Sequence, residues 1–249
     1  MSLKLALIVP DSHIPFEDKR AYDLMIKVAT ELQPDEIVIL GDYADFYSVM
    51  SHQKDPTVFT MLKEEIEAVN ARLDELDVMF PKATKVFIEG NHEYRLERYL
   101  LSSAPALFGV TETRNLLGID KRPKWRFCPY GPNQQHQVLH SYLTARHEPL
   151  ASSAKATAAK ALCSLVYGHI HRIEESHIVG LHGANHVCFS VGWLGNKKLD
   201  RVFGYTKGHA QWQLGFGLVY VDPKSRLFFH QKIHIIDYKC VVNGIQYRG

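Results

Sequence analysis

The stretch Leu3-Lys4-Leu5-Ala6-Leu7-Ile8-Val9-Pro10-Asp11-Ser12-His13 is an apolar run, interrupted only by Lys4, that stops at a proline and three polar residues. A run of this kind is expected of a strand covered on both faces, because neither face needs polar side chains. The pattern returns twice. Glu36 to Leu40 ends at Gly41-Asp42, and Lys85 to Ile88 ends at Gly90-Asn91-His92-Glu93. Helical periodicity lies between these runs. Ala21, Met25, Val28 and Leu32 recur on one face before Pro34-Asp35 breaks the pattern. Residues 58–79 carry Leu62, Ile66, Val69, Leu73 and Leu76 at the same spacing, and a helix with Leu96, Tyr99 and Leu100 stops near Pro105. Three strand–helix units in succession predict an α/β fold with parallel strands. Sheets of that kind place their sites at the carboxyl ends of the strands.

The second half is less regular. Residues 108–135 are rich in proline and glycine and read as a loop. Val138 to Arg146 reads as extended and ends at His147-Glu148-Pro149; Ser152 to Ser164 is alanine-rich and helical. Leu165-Val166-Tyr167 is a short strand that runs into Gly168-His169-Ile170-His171. Val187–Val191, Phe216–Val221 and Leu227–Ile236 read as strands, so antiparallel β-structure is expected to close the α/β half. No repeat, low-complexity tract or linker interrupts the chain, and residues 1–249 read as one domain.

Composition narrows the class. At 249 residues, 46% hydrophobic and 22% charged, the chain has the make-up of a folded globular protein. No stretch approaches the ~20 apolar residues that span a bilayer, and Leu5 to Val9 lacks the cleavage site of a secretory signal. The formal charge of +2, from 29 basic and 27 acidic residues, is too balanced for binding nucleic acid by bulk charge, though a local basic patch stays open. Cys128, Cys163, Cys188 and Cys240 are scattered, as expected of a reduced cytoplasmic protein without a disulfide frame or zinc ribbon.

The clusters at the strand ends are Asp11-x-His13, Gly41-Asp42-x-x-Asp45, Gly90-Asn91-His92-Glu93, His147 and Gly168-His169-x-His171. Alone, each reads as a turn or a packed histidine. Together they supply carboxylate, imidazole and amide ligands without thiols, a set that suits two borderline cations about 3.5–4 Å apart. In Asp-x-His and His-x-His on extended backbone, residues i and i+2 point the same way.

In this order and spacing the five clusters resemble the signature of the calcineurin-like metallophosphoesterase superfamily. The wording at 41–48 and 90–100 is similar to compact stand-alone members from bacteria and their phages. The resemblance implies a four-layer αββα sandwich of two mixed β-sheets flanked by helices. It implies that Asp11, His13 and His171 hold one divalent metal, that Asn91, His147 and His169 hold the other, and that Asp42 bridges both. Manganese is the first expectation, with iron, zinc or nickel as alternatives. His92 matches the catalytic histidine that protonates the leaving oxygen, and Asp45 the acid that orients it. Arg95 is a candidate contact for a phosphate oxygen, against a reading as a helix-surface arginine paired with a glutamate; Asn91 is a candidate substrate contact as well as a ligand. Glu93 reads as a helix-start residue. The family's fourth cluster is usually His-Gly, whereas here Glu148 follows His147, so His140 and His136 stay open as alternatives.

The implied reaction is hydrolysis of a phosphoester by a hydroxide held between the metals, with a phosphodiesterase or phosphatase of nucleotides or small molecules expected first. A nuclease of the same mechanism acting on DNA or RNA is the alternative, and a non-catalytic interaction module with the same fold is the third reading. No membrane partner is expected. Tyr43, Phe46, Tyr47, Tyr94 and Trp193 are candidates to stack on a substrate ring, with packing as their default. His177, His182, His186, His209, His230 and His234 read as surface or packing residues, with His209 the first of them to consider for substrate because its loop could overhang the cleft.

Overall fold

Successive side chains of a strand point to opposite faces, and in β1 (Lys4–Val9) they enter two different cores. Leu5, Leu7 and Val9 join an outer cluster with Tyr22, Met25 and Val28 of α1 (Lys19–Leu32) and Val69, Leu73 and Leu76 of α2 (Leu62–Met79). Ala6 and Ile8 point the other way, into a cluster shared with Val166, Phe189 and Val191 of a second sheet. Burial on both sides explains why this strand is almost wholly apolar. The structure is a computed structural model that describes residues 2–51, 54–58, 60–109, 111–180, 183–199, 202 and 211–249.

The first sheet continues from β1 through β2 (Glu36–Ile39), β3 (Thr84–Ile88) and β4 (Trp125–Cys128), all parallel. The second sheet contains β5 (His136–Gln137), β6 (Leu143–His147), β7 (Ser164–Gly168), β8 (Ile173–Val179) and β9 (Asn185–Val191) in the order β5-β6-β7-β9-β8. β10 (Gly215–Val221) and β11 (Phe228–His234) then return to the first sheet and extend it antiparallel beside β1, giving β11-β10-β1-β2-β3-β4. The inner cluster lies between the sheets. Beyond the first sheet lie α1, α2 and α3 (Tyr94–Ser103). The short α4 (Thr113–Leu116) follows, and α5 (Ala154–Ala161) covers the far face of the second sheet through Ala158 against Leu165, Tyr167 and Cys188. The result is the α/β fold with two mixed sheets that the resemblance implies. Among the described residues no helix is long and apolar enough to cross a membrane.

Four local expectations are corrected. The loop predicted over 108–135 contains α4 and the edge strand β4, whose four residues carry one charge and are too short to show a period. The helix predicted from residue 58 starts at Leu62: Met61 is extended, and its N–H donates to the Glu64 carboxylate at 3.0 Å, which marks the true start. The extended run predicted from Val138 begins only at Leu143, because Leu139 and His140 adopt positive φ (47° and 57°) in a tight turn. A last hairpin, β12 (Lys239–Val242) and β13 (Ile245–Arg248), lies beyond the final predicted strand. It turns on Asn243-Gly244, both at positive φ, the pair a two-residue hairpin favours.

Candidate metal centre

The polar clusters at the ends of β1, β2, β3, β6 and β7 converge although up to 160 residues, from Asp11 to His171, separate them in sequence. Asp11, His13, Asp42 and His171 each bring one ligand atom within 4.8 Å of the others. Asp42, His147 and His169 form a second such group, so Asp42 belongs to both. Asn91 adjoins the second group, its Oδ1 2.9 Å from His147 Nε2. Of the three histidines weighed for the fourth cluster, His147 stands here, with Nδ1 fixed on the Leu40 carbonyl at 2.9 Å. His136 pairs instead with Glu36 at 3.1 Å, and His140 lies in the tight turn before β6.

The backbone is bent to achieve this convergence. His13, Asp42, Phe46, His169 and His171 all have positive φ, a costly conformation for residues with a Cβ that concentrates at functional sites. Gly41 (φ +90°) and Gly90 allow the close approach: a Cβ on Gly41 would lie 2.6 Å from His147 Nδ1, and one on Gly90 would lie 2.2 Å from the Asp42 amide nitrogen. Gly90→Ala is therefore expected to displace Asp42 and to weaken binding of divalent cations by about 10–100-fold, the scale of losing a group that orients a metal ligand. Isothermal titration with Mn²⁺ checks this, and unchanged affinity would contradict it.

The residues fit a pair of cations. Asp11 Oδ2, His169 Nδ1 and His171 Nδ1 are buried without a hydrogen-bond partner among the described residues, and His13 Nε2 faces His171 Nε2 at 3.0 Å. Burial lowers His13, His147 and His171, and burial together with His147 lowers His169 to about 4, so each ring is held neutral and leaves one nitrogen lone pair for a ligand. Burial alone would raise Asp42, but His147, His92 and the other imidazoles hold it far below the ordinary carboxylate range. Asp11 is raised by burial and by Asp42. Adjacent carboxylates and neutral imidazoles out of water form a set that a divalent ion satisfies, and oxygen and nitrogen donors without sulfur match manganese, iron or zinc.

His92 lies beside this set and is partly accessible. Its N–H donates to Asp42 Oδ1 at 2.8 Å and its Nδ1 lies 3.1 Å from Asp45 Oδ2. The same Asp45 oxygen lies 2.9 Å from His13 Nδ1. Against the effect of burial, His92 and His13 hold Asp45 well below the usual carboxylate range through electrostatic attraction and hydrogen bonds. Arg95 is not paired with a glutamate. Its guanidinium donates to the Asp45 carbonyl at 2.9 Å and reaches Asp45 Oδ1 at 3.2 Å, with Nη2 2.8 Å from His92 Nε2.

Two residues do more than their local pattern implies. Glu93 does sit at the start of α3, yet its buried carboxylate accepts from the N–H groups of Gly90, Asp42, Tyr43 and Ala44 at 2.7–3.0 Å. Gln134, inside the predicted loop, accepts from His147 N–H at 3.0 Å and donates to the Glu89 carbonyl at 2.6 Å. Nothing in its local sequence marks it. Of the aromatic candidates, Tyr43, Phe46, Tyr47 and Trp193 are buried and serve the packing. Tyr94 is half-buried and stacks on Tyr130, with centroids 4.7 Å apart. The half-buried Trp212 lies edge-on to His171, centroids 4.7 Å apart. His177 and His230 both bond Glu175 away from the clusters; His186 lies on β9 and His234 on β11. His182 and His209 lie outside the described residues.

Sheets, clusters and donor set point to one class, and the chain belongs to the calcineurin-like phosphoesterase family, whose profile matches residues 6–209. In particular it is 31% identical over 234 residues to the Gene 54 protein of Mycobacterium phage L5, covering 88% of this chain and 89% of that protein. It is 30% identical over 234 residues to the Gene 54 protein of Mycobacterium phage D29, with the same coverage. Among solved structures, Vacuolar Protein Sorting 29 from Cryptosporidium parvum aligns over 99% of this chain and 95% of its own at 10% identity and a TM-score of 0.42. Yfce, a phosphoesterase from E. coli, aligns over 92% and 98% at 14% identity and a TM-score of 0.38.

Proposed function

We propose that residues 1–249 form one domain that hydrolyses phosphoesters with two divalent cations. Asp11, His13 and His171 would hold one cation, Asn91, His147 and His169 the other, and Asp42 both. The observation that carries this reading is the membership of Asp42 in both ligand groups. When bound, such cations neutralise charge on the phosphoryl group and lower the pKa of water to about 7. The chain supplies the rest. His92 donates a proton from Nε2 to the leaving oxygen, while Asp45, 3.1 Å from Nδ1, fixes the ring. Arg95 shares its guanidinium between Asp45 and His92 Nε2, and an arriving phosphate oxygen would draw it off that nitrogen. Asn91 places its amide beside the same phosphate. Four free cysteines accord with work in a reducing cytoplasm.

The test is metal content together with turnover of bis-p-nitrophenyl phosphate and p-nitrophenyl phosphate. Chelation is expected to abolish turnover and Mn²⁺ to restore it. His92→Ala is expected to keep both metals and to slow turnover of diphenyl phosphate, whose leaving oxygen needs a proton, by about 10²–10⁴-fold, the usual worth of a proton donor. Full activity after chelation, or of His92→Ala on diphenyl phosphate, would sink the proposal. A second reading, nuclease action, draws support from the Tyr94–Tyr130 stack and from Trp212, because aromatic faces hold bases at about 1–3 kcal/mol each. Cleavage of a labelled single strand, weakened in Tyr130→Ala, would favour it. A non-catalytic module would bind metals and turn over neither ester.

A further inference from the structure

Glu65 is a helix residue with no solvent exposure. A carboxylate is costly to bury unless its oxygens are bonded. Both oxygens of Glu65 are engaged by consecutive backbone donors: Tyr47 N–H at 2.8 Å and Ser48 N–H at 2.8 Å. Burial raises its pKa and those N–H bonds oppose the rise, as expected where the donors favour the charged form.

The donors belong to the segment that carries Asp42 and Asp45. Asp42 and Phe46 have positive φ, so residues 42–48 do not run on as a strand beyond the single parallel bridge of Ala44 with Ile14, and most of their buried N–H groups need other acceptors. Those of Asp42, Tyr43 and Ala44 go to Glu93. That of Asp45 goes to the Ile14 carbonyl at 3.0 Å. Those of Tyr47 and Ser48 go to Glu65. The segment is thus held between two buried carboxylates, Glu93 at the Asp42 end and Glu65 just past Asp45.

We propose that Glu65 is a positioning residue for proton donation. By fixing the turn at 47–48 it holds Asp45 against the Nδ1 atoms of His92 and His13, and through Asp45 it aims His92 at the leaving oxygen. The assignment rests on the hydrolase reading above. Glu93 retains its grip on the Asp42 end without Glu65, so Asp42 keeps its place in both ligand groups while the acid loses its alignment.

The experiment compares wild type, Glu65→Ala, Glu65→Gln and His92→Ala on two diesters at saturating Mn²⁺. Bis-p-nitrophenyl phosphate has a leaving group that hardly needs a proton; diphenyl phosphate has one that does. Metal content and thermal unfolding are measured alongside. In Glu65→Ala, kcat on diphenyl phosphate is expected to fall about 10–100-fold and kcat on bis-p-nitrophenyl phosphate by less than about 3-fold, with two metals kept. Glu65→Gln keeps one acceptor oxygen and falls between; if the alanine variant does not fold, the same ratio in Glu65→Gln decides. Adding Glu65→Gln to His92→Ala is expected to change the ratio no further, because both act on one proton. Parallel loss on the two esters, or no loss, overturns the assignment in favour of a purely structural role or none. A wild type inert to both esters with metal overturns the hydrolase reading, and this one with it.

Discussion

Glu93→Ala is expected to destabilise the fold by about 4 kcal/mol or more. It leaves four buried N–H groups without their acceptor, and each unsatisfied group costs about 1–3 kcal/mol. The carboxylate brings a cost of its own, since burial and the neighbouring Asp42 charge push Glu93 up. The N–H donors oppose that rise without cancelling it. A loss of this size is a large part of the roughly 5–15 kcal/mol that keeps a domain folded. Glu93→Gln, which keeps one acceptor oxygen and turns an amide toward the donors, is expected to lose about half as much. Urea unfolding measures both, and an unchanged midpoint in Glu93→Ala would show that the clamp adds no stability.

Asp42→Ala has the largest expected effect on activity. Its carboxylate lies in both ligand groups and accepts from His92 N–H, so one truncation strikes two metal positions and the acid together. Turnover of bis-p-nitrophenyl phosphate is expected to fall by roughly 10⁴-fold, beyond the 10²–10³ that a single neutral donor supplies. Metal content after dialysis is expected to fall for both sites at once. A variant that keeps one tight metal and substantial turnover would mean that Asp42 serves one site only. His169→Ala sharpens the comparison: His169 belongs to the second group alone, so its loss should lower occupancy of one metal first.

Much of the fold is legible along the chain because its strands are buried on two sides. Leu5 to Val9, Ile37 to Leu40 and Val86 to Ile88 are apolar for that reason, and each stops where the chain leaves the sheet. β4 and β8 lie at sheet edges, and their mixed polar and apolar residues leave little to read. The clusters themselves are legible because Asp-x-His, Gly-Asp, Gly-Asn-His and Gly-His-x-His are local patterns, marked by glycines that admit close approach.

Local order along the chain determined the strands, the helices and the residue types at each strand end, since burial and backbone period act over a few neighbours. The tertiary structure alone decided which distant groups meet. It set His147 rather than His136 beside Asn91, placed Arg95 on Asp45, and gave Glu93, Gln134 and Glu65 their backbone partners. A carboxylate or amide carries no mark of its partner in its own sequence. The donors that satisfy it lie up to 51 residues away for Glu93, and only folding brings them within hydrogen-bond reach.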